Sequence, residues 1–233
     1  MKKMKISAAV VLILAIGTFN SCKKNNDKKP DCKISALSSP TSTARNTLSY
    51  DANGKLSRLI SGGSFTSYSY SGSTTIVTTL DSGKFSSRTT ISSNDAGLAI
   101  NVRTESDETG TTWNNGFYEY NGEELIKSTS TSSVGGPPVI TTYTWNNHNM
   151  VSSTTDTTTT VYGYYTDKPR QIGDYFLLVQ MIQGYEIVRN KNLLKSVATS
   201  TLAYDFGADG KITTLSVISG NSTTFLDYEY QCN

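Results

Sequence analysis

The sequence predicts an all-β fold: a large antiparallel meander of about fourteen strands. The sheet is strongly curved or closed and barrel-like, with one short helix or apolar loop inserted near 172–184. Three observations carry this. A strand–turn–strand unit recurs, as Tyr50-Asp51-Ala52-Asn53-Gly54-Lys55-Leu56 and again as Tyr204-Asp205-Phe206-Gly207-Ala208-Asp209-Gly210-Lys211-Ile212. Shorter versions stand at Tyr120-Asn121-Gly122-Glu123-Glu124-Leu125 and Trp145-Asn146-Asn147-His148-Asn149-Met150. Aromatics repeat at i and i+2 (Tyr68/Tyr70, Tyr118/Tyr120, Tyr143/Trp145, Tyr162/Tyr164, Tyr228/Tyr230), and in a strand such pairs share one face. Ser, Thr, Gly, Asn and Tyr dominate a chain of 233 residues in which only 17% are charged, and no apolar period of 3.6 residues is sustained.

The elements follow in order. Strands over 43–50 and 55–61 flank the first Asp-Ala-Asn-Gly turn. Those over 64–70 and 73–80 flank Ser71-Gly72, and 84–92 follows Asp81-Ser82-Gly83. The strand over 98–105 follows Asn94-Asp95-Ala96-Gly97. Those over 111–120 and 123–130 flank Asn121-Gly122, the strongest two-residue hairpin signal in the chain. Strands over 139–145, 149–155 and 158–165 come next, and 194–205, 211–219 and 222–230 finish the chain. The residues between the Tyr-x-Tyr members are mostly polar, which fits a sheet with one covered and one wet face. The meander is interrupted over 166–195. There Tyr175-Phe176-Leu177-Leu178-Val179-Gln180-Met181-Ile182 forms an apolar run between Gly173-Asp174 and Gly184. It reads as a plug closing an open end of the sheet, the alternative being a lid over a pocket.

Residues 1–21 read as an export signal. Lys2, Lys3 and Lys5 precede an apolar run from Ile6 to Ile16, shorter than the ~20 residues of a spanning helix. It closes on Phe19-Asn20-Ser21-Cys22, which resembles the looser lipobox of Bacteroidota lipoproteins. The resemblance implies cleavage before Cys22, its acylation, and attachment to a membrane through that lipid. Loss of the leader leaves 18 of the 21 basic residues against 19 acidic ones, a net charge of −1, so no basic field speaks for nucleic acid. Residues 22–32 form a polar tether, and a single all-β domain occupies 33–233. Surface-exported lipoproteins of the group it resembles often carry acidic residues just after the Cys; Lys23 and Lys24 stand there instead, so the resemblance implies the periplasmic side of the outer membrane over the cell surface. Cys32 and Cys232 remain. An oxidising compartment allows them to pair, which requires their Cα atoms to lie within about 7 Å; the alternative is two buried thiols.

The aromatic-Asp-x-x-Gly-[Lys/Arg]-[Leu/Ile] unit resembles the YD repeat of RHS proteins. Together with the lipobox, the end cysteines, the tandem hairpins and Asn190-Lys191-Asn192-Leu193-Leu194-Lys195-Ser196, it resembles an uncharacterised family of Bacteroidota lipoproteins described as having a porin-like fold. That resemblance implies a wide antiparallel sheet and carries no catalytic residues. A membrane pore is a different matter. A spanning barrel needs a continuous apolar outer band, which Ser86-Ser87-Arg88-Thr89-Thr90 and 152–160 do not present.

Catalytic signals are weak. The single histidine, His148, falls in a turn; no Cys/His cluster has metal-ligand spacing, and no G-x-S-x-G elbow exists. Carboxylate pairs occur at Glu105/Asp107, Glu123/Glu124 and Asp227/Glu229, a pattern that exposed strand faces also show. The sequence therefore reads as a non-enzyme with no cofactor and no metal. Two function classes stand ahead: a binding module for a glycan, peptide or lipid, and a structural or interaction protein of the outer membrane holding a protein partner. The aromatic excess motivates the first, with Trp113, Trp145, Tyr162, Tyr164 and Tyr175 as candidate ligand contacts.

Overall fold

Sixteen strands hydrogen-bond in sequence around a complete ring in the computed structural model, each antiparallel to the next, and the last pairs with the first. The structure describes residues 32–40 and 45–232. The signal segment, Cys22 and the tether before Cys32 lie outside the described residues, as does the start of the strand expected from 43. The strands are β1 (Cys32–Ser38), β2 (Arg45–Tyr50), β3 (Leu56–Ser61), β4 (Ser64–Ser71), β5 (Thr74–Asp81), β6 (Lys84–Ser93), β7 (Ala99–Glu105) and β8 (Trp113–Asn121). They continue as β9 (Glu124–Ser132), β10 (Val139–Asn146), β11 (Asn149–Thr155), β12 (Thr158–Pro169), β13 (Asn192–Val197), β14 (Ser200–Phe206), β15 (Ile212–Ser219) and β16 (Ser222–Cys232). One helix, α1 (Tyr175–Gln183), interrupts the meander between β12 and β13.

The sheet is thus closed, with two strands more than the sequence suggested. One is β1, a short run before Pro40 that carries no repeat signal. The other comes from the expected 194–205 strand, which splits at Ala198. That residue turns with φ 50° and without the Gly, Asn or Asp that marks such turns elsewhere. A closed ring leaves no exposed edge.

In an antiparallel meander alternate connections share an end. The turns at 51–55, 94–98, 122–123, 147–148 and 207–211 therefore gather at one rim, together with the start of β1 and the end of β16. Cys32 and Cys232 are disulfide-bonded there across the β1–β16 seam, with Cα atoms 4.0 Å apart. The recurring aromatic has a specific task at this rim. Tyr50, Tyr70, Tyr120, Trp145, Tyr164 and Tyr230 each stand in the rim-side half of an even-numbered strand. Each donates to the carbonyl of the residue at or near the start of the strand before it: Ile34, Leu56, Ala99, Leu125, Met150 and Ile212, at 2.7 or 2.8 Å. In six of the eight even-numbered strands the aromatic is therefore a latch onto the strand before it; on β14 the buried Tyr204 hydroxyl makes no such bond. The ring lies inside the barrel, and its polar tip satisfies a backbone acceptor that strand pairing leaves over.

The core lies between wall and plug. Ile34, Leu37, Leu48, Ile91, Leu193, Leu202 and Leu215 are buried on the inner face, and Leu178 of α1 meets them. A second cluster joins Leu125, Met150 and Val188. The disulfide closes a loop of 200 residues. Its reduction is expected to lower stability by up to about 5 kcal/mol, read as a drop in denaturation midpoint, and to loosen β1 and β16 first in hydrogen exchange.

Candidate functional site

A barrel of sixteen strands is wider than its own side chains can fill, and residues 170–191 occupy one half of it. The carboxylate of Asp174, 2% exposed, caps α1 by accepting from the N–H groups of Phe176 (2.9 Å) and Leu177 (3.3 Å). Its second oxygen accepts from Leu194 N–H on β13 at 2.9 Å. Burial raises its pKa, opposed by these three donors and by Arg170. Gly184 ends the helix at φ 80°, pressed so close to Val77 and Tyr68 that a Cβ has no room. Buried Gln180 then clamps the returning chain: its amide donates to Val188 O (3.0 Å) and accepts from Ile187 and Val188 N–H at 2.6 and 2.8 Å. Asn190 accepts from Met150 N–H (2.9 Å), and Asn149 and Asn192 bond reciprocally. Glu186 pairs with Arg170 and Arg189, and Arg189 reaches Glu123 and the carbonyl of Ala96 on the wall.

The segment fills the barrel at the latched rim, so the reading as a plug describes it. It leaves space on both sides. Below it a chamber extends toward the opposite rim, in two adjoining cavities of about 270 and 190 Å³ that share Thr104 and Tyr185. Thr66, Thr79, Thr89, Thr104, Ser128 and Ser130 form its walls, while Tyr68, Tyr118 and Tyr185 form its floor. No charged residue lines either cavity. The wall hydroxyls are held in pairs across strands, Thr66 with Thr79 at 3.1 Å and Thr89 with Thr104 at 3.0 Å. Gly116 keeps the inner face open where the Tyr118 hydroxyl lies. Asn114 and Ser130 share the inner face with buried Val102 and with Tyr118, yet are exposed, so solvent enters the chamber.

The five candidate aromatics do not converge on one pocket. Trp145 and Tyr164 are rim latches. Tyr162 shares a hydrogen bond with Ser153 and packs on Phe176, ring centroids 5.6 Å apart. Tyr175 opens α1 and tilts against Phe176. Trp113 pairs with Glu105, the residue that grips Arg88 across the β6–β7 ladder, and lies under the Arg103 guanidinium, 4.6 Å from the ring. The carboxylates have local partners. Asp227 accepts from Thr214, Glu229 pairs with Arg45, Glu105 with Arg88 and Arg103, and Asp107 caps the turn to Thr112. His148 turns with φ 61° beside Glu124. Among the described residues no group of three His, Cys, Asp or Glu side chains comes together as a metal site would. The chamber's Thr, Ser and Tyr185 were not singled out in the sequence; the one signal for them is that Thr66, Gly116 and Thr160 each stand two residues before a Tyr-x-Tyr pair.

No protein-family model matches the chain. No curated protein matches it in sequence. Among solved structures it is similar to a porin-like protein from Bacteroides uniformis, at 16% identity and a TM-score of 0.59, over 85% of this chain and 98% of that one. A porin-like protein from Bacteroides vulgatus gives 14% identity and a TM-score of 0.61, over 86% and 99%. The likeness is one of fold: a closed antiparallel barrel. The YD repeat and the lipobox rest on the sequence alone.

Two outcomes follow from the plug and its tyrosines. Asp174→Ala removes the cap and orphans Leu194 N–H, at a cost of about 2–4 kcal/mol. Asp174→Asn keeps the cap and loses about 1–3 kcal/mol; urea denaturation of both variants measures the difference. Burial pushes Tyr50, Tyr70 and Tyr230 up to about 12, and Tyr68, Tyr118, Tyr164, Tyr204 and Tyr228 further in the same direction. Tyrosines of the unfolded chain ionise first, near 10. The folded state therefore keeps its full advantage below pH 10 and loses it as pH rises toward 12 and beyond. Ionisation of these eight tyrosines, followed as the main rise in tyrosinate absorbance, is expected together with loss of the β-sheet circular dichroism signal, and not before it.

Proposed function

We propose that this chain is a non-enzymatic binding module of the bacterial outer membrane, tethered through a lipid on Cys22 and facing the periplasm, and that its chamber takes a neutral glycan. The chamber carries the reading. Four of its wall hydroxyls, Thr66 with Thr79 and Thr89 with Thr104, are already paired across strands, so each offers a fixed donor or acceptor. Its floor includes the Tyr185 ring, on which a sugar's apolar face stacks. A lining without charge suits a neutral sugar better than an anionic one, since a buried charge there would have no partner.

The outer wall supports the tether. Arg45–Glu229, Lys127–Glu119 and Arg88–Glu105 bridge strands on the outer face. Arg or Lys at the bilayer midplane of a spanning barrel costs about 2–4 kcal/mol each. These pairs favour water over lipid as the surroundings of the wall, although Ile76, Phe117, Ile126 and Val161 are also exposed, and a lipid on Cys22 would then hold the barrel at the membrane. The porin-like neighbours, both from Bacteroides, agree with an envelope setting.

Calorimetric titration of the full chain against neutral and anionic oligosaccharides tests the reading. Saturable binding of a neutral oligosaccharide is expected, weakened about tenfold by Thr104→Val or Tyr185→Phe, the usual effect of one lost hydrogen bond in a site. A panel in which only anionic sugars bind, or none does, rejects it. Metabolic labelling with radioactive palmitate, lost in Cys22→Ser, tests the anchor.

A further inference from the structure

A larger cavity lies beside α1 at the latched rim, and it carries charges that the chamber lacks. It measures about 600 Å³, well inside the range of small-molecule sites. Leu177 and Met181 of α1, with Leu56 and Tyr70 of the wall, make its apolar side. The Tyr70 hydroxyl is spent on Leu56 O at 2.8 Å, and the Gln180 amide on the returning chain. The hydroxyls of Ser73, Thr75 and Ser93 also line the cavity and have no hydrogen-bond partner among the described residues. A charge stands at each end. Lys55 leads into β3, and its exposed ammonium rests over the Tyr70 ring, 4.7 Å from the centre, with no carboxylate within ion-pair distance among the described residues. Asp51, in the same turn, accepts from the N–H groups of Asn53 and Lys55 instead. Asp95 stands in the turn between β6 and β7, exposed and with no ion-pair or hydrogen-bond partner among the described residues. The other charges here are matched: Glu186 pairs with Arg170 and Arg189, and Arg189 reaches Glu123 and Ala96 O.

We propose that this cavity binds a short apolar peptide with free ends, about three residues long, its carboxylate at Lys55 and its ammonium at Asp95. Three features select that class. One uncompensated charge of each sign, at opposite ends, complements a zwitterion; a fatty acid lacks the ammonium and a neutral sugar lacks both charges. The spacing sets the length. From β3 to β6 is three strand spacings, about 14 Å along the wall. Three extended residues span about 10 Å, and the Lys55 and Asp95 side chains cover the rest. Between the ends, the uncommitted hydroxyls of Ser73, Thr75 and Ser93 suit the donors and acceptors of peptide groups, while Leu177 and Met181 suit an apolar side chain. The proposal does not rest on the glycan reading, since the chamber's threonines take no part in this cavity.

The test titrates the full chain with the tripeptide Ala-Leu-Ala, and with the same peptide N-acetylated or C-amidated. Saturable binding of the free tripeptide is expected. Capping either end is expected to weaken it at least about tenfold, the usual effect of one charge-assisted contact. Asp95→Asn is expected to weaken the free tripeptide by a similar factor and to leave the acetylated one unchanged. Lys55→Gln is expected to do the same for the free and amidated pair. Both positions are exposed, so the circular dichroism spectrum should stay that of the parent. Thr104→Val, in the chamber, is expected to leave tripeptide affinity unchanged. A lack of saturable binding overturns the proposal, and so does equal affinity for free and capped peptides. Parental affinity for the free tripeptide in Asp95→Asn or Lys55→Gln overturns it as well. Weakening by Thr104→Val moves the peptide into the chamber and overturns the separate site.

Discussion

The structure depends on one geometric constraint: a closed sheet of sixteen strands encloses more space than its inward side chains can fill. Some other part of the chain must supply the missing core. The segment from Arg170 to Lys191 does so, and Leu178 and Val188 are buried with wall residues drawn from most of the ring. Placing backbone inside a barrel raises a second demand, because its N–H and C=O groups leave water. Asp174, Gln180 and Asn190 answer it. Each is at most 6% exposed, and each spends its polar atoms on the backbone of the plug or the wall. The buried polar residues of this protein are thus a consequence of its circumference.

The same strands build two different halves. Along an even-numbered strand the inward positions run from small and hydroxylic to aromatic. On β4 the order is Ser64, Thr66, Tyr68, Tyr70; on β8 it is Asn114, Gly116, Tyr118, Tyr120; on β12 it is Thr158, Thr160, Tyr162, Tyr164. Where the rings stand, the barrel is packed against the plug and latched from hairpin to hairpin. Where the hydroxyls stand, it is open and wet. The polarity gradient along each strand fixes which end the plug occupies, since Leu178, Met181 and Ile182 pack where the rings and the buried aliphatic residues of the wall stand.

Much of this is legible in the sequence, for identifiable reasons. Asn121-Gly122 and the Asp51–Gly54 turn declare themselves because tight turns demand φ > 0, which few residues supply. The Tyr-x-Tyr spacing gives the inner face because strand periodicity is two. Asp174 and Gly184 bound α1 because helix ends leave donors and acceptors over. Other features depend on long-range pairing and leave no local mark. Ala198 turns the chain without a turn residue because the β13–β14 register imposes it. Glu186, Arg170 and Arg189 lie close in sequence, but only the fold brings Glu123 and Ala96 to them. The chamber was hidden for a further reason. Ser and Thr occupy both faces of these strands, so Thr154–Thr159 on the outside and Thr141–Thr155 on the inside read alike until the ring closes.

That ambiguity bears on where recognition resides. Large aromatics draw attention as ligand platforms, yet Trp145 and Tyr164 spend their polar tips on wall carbonyls and Tyr162 its hydroxyl on Ser153. An aromatic whose polar atom is committed and whose ring is packed has little left to offer a ligand. Tyr185 differs. It follows the helix cap, its hydroxyl meets that of Tyr118, and it borders both the chamber and the larger cavity beside α1. It is the one ring of the plug that faces space on two sides. Its position is set by Gly184, where a left-handed turn brings the chain against Val77 and Tyr68. The break in the repeat therefore does two things at once: it completes the core that the circumference requires, and it carries Tyr185, the ring that borders the open chamber.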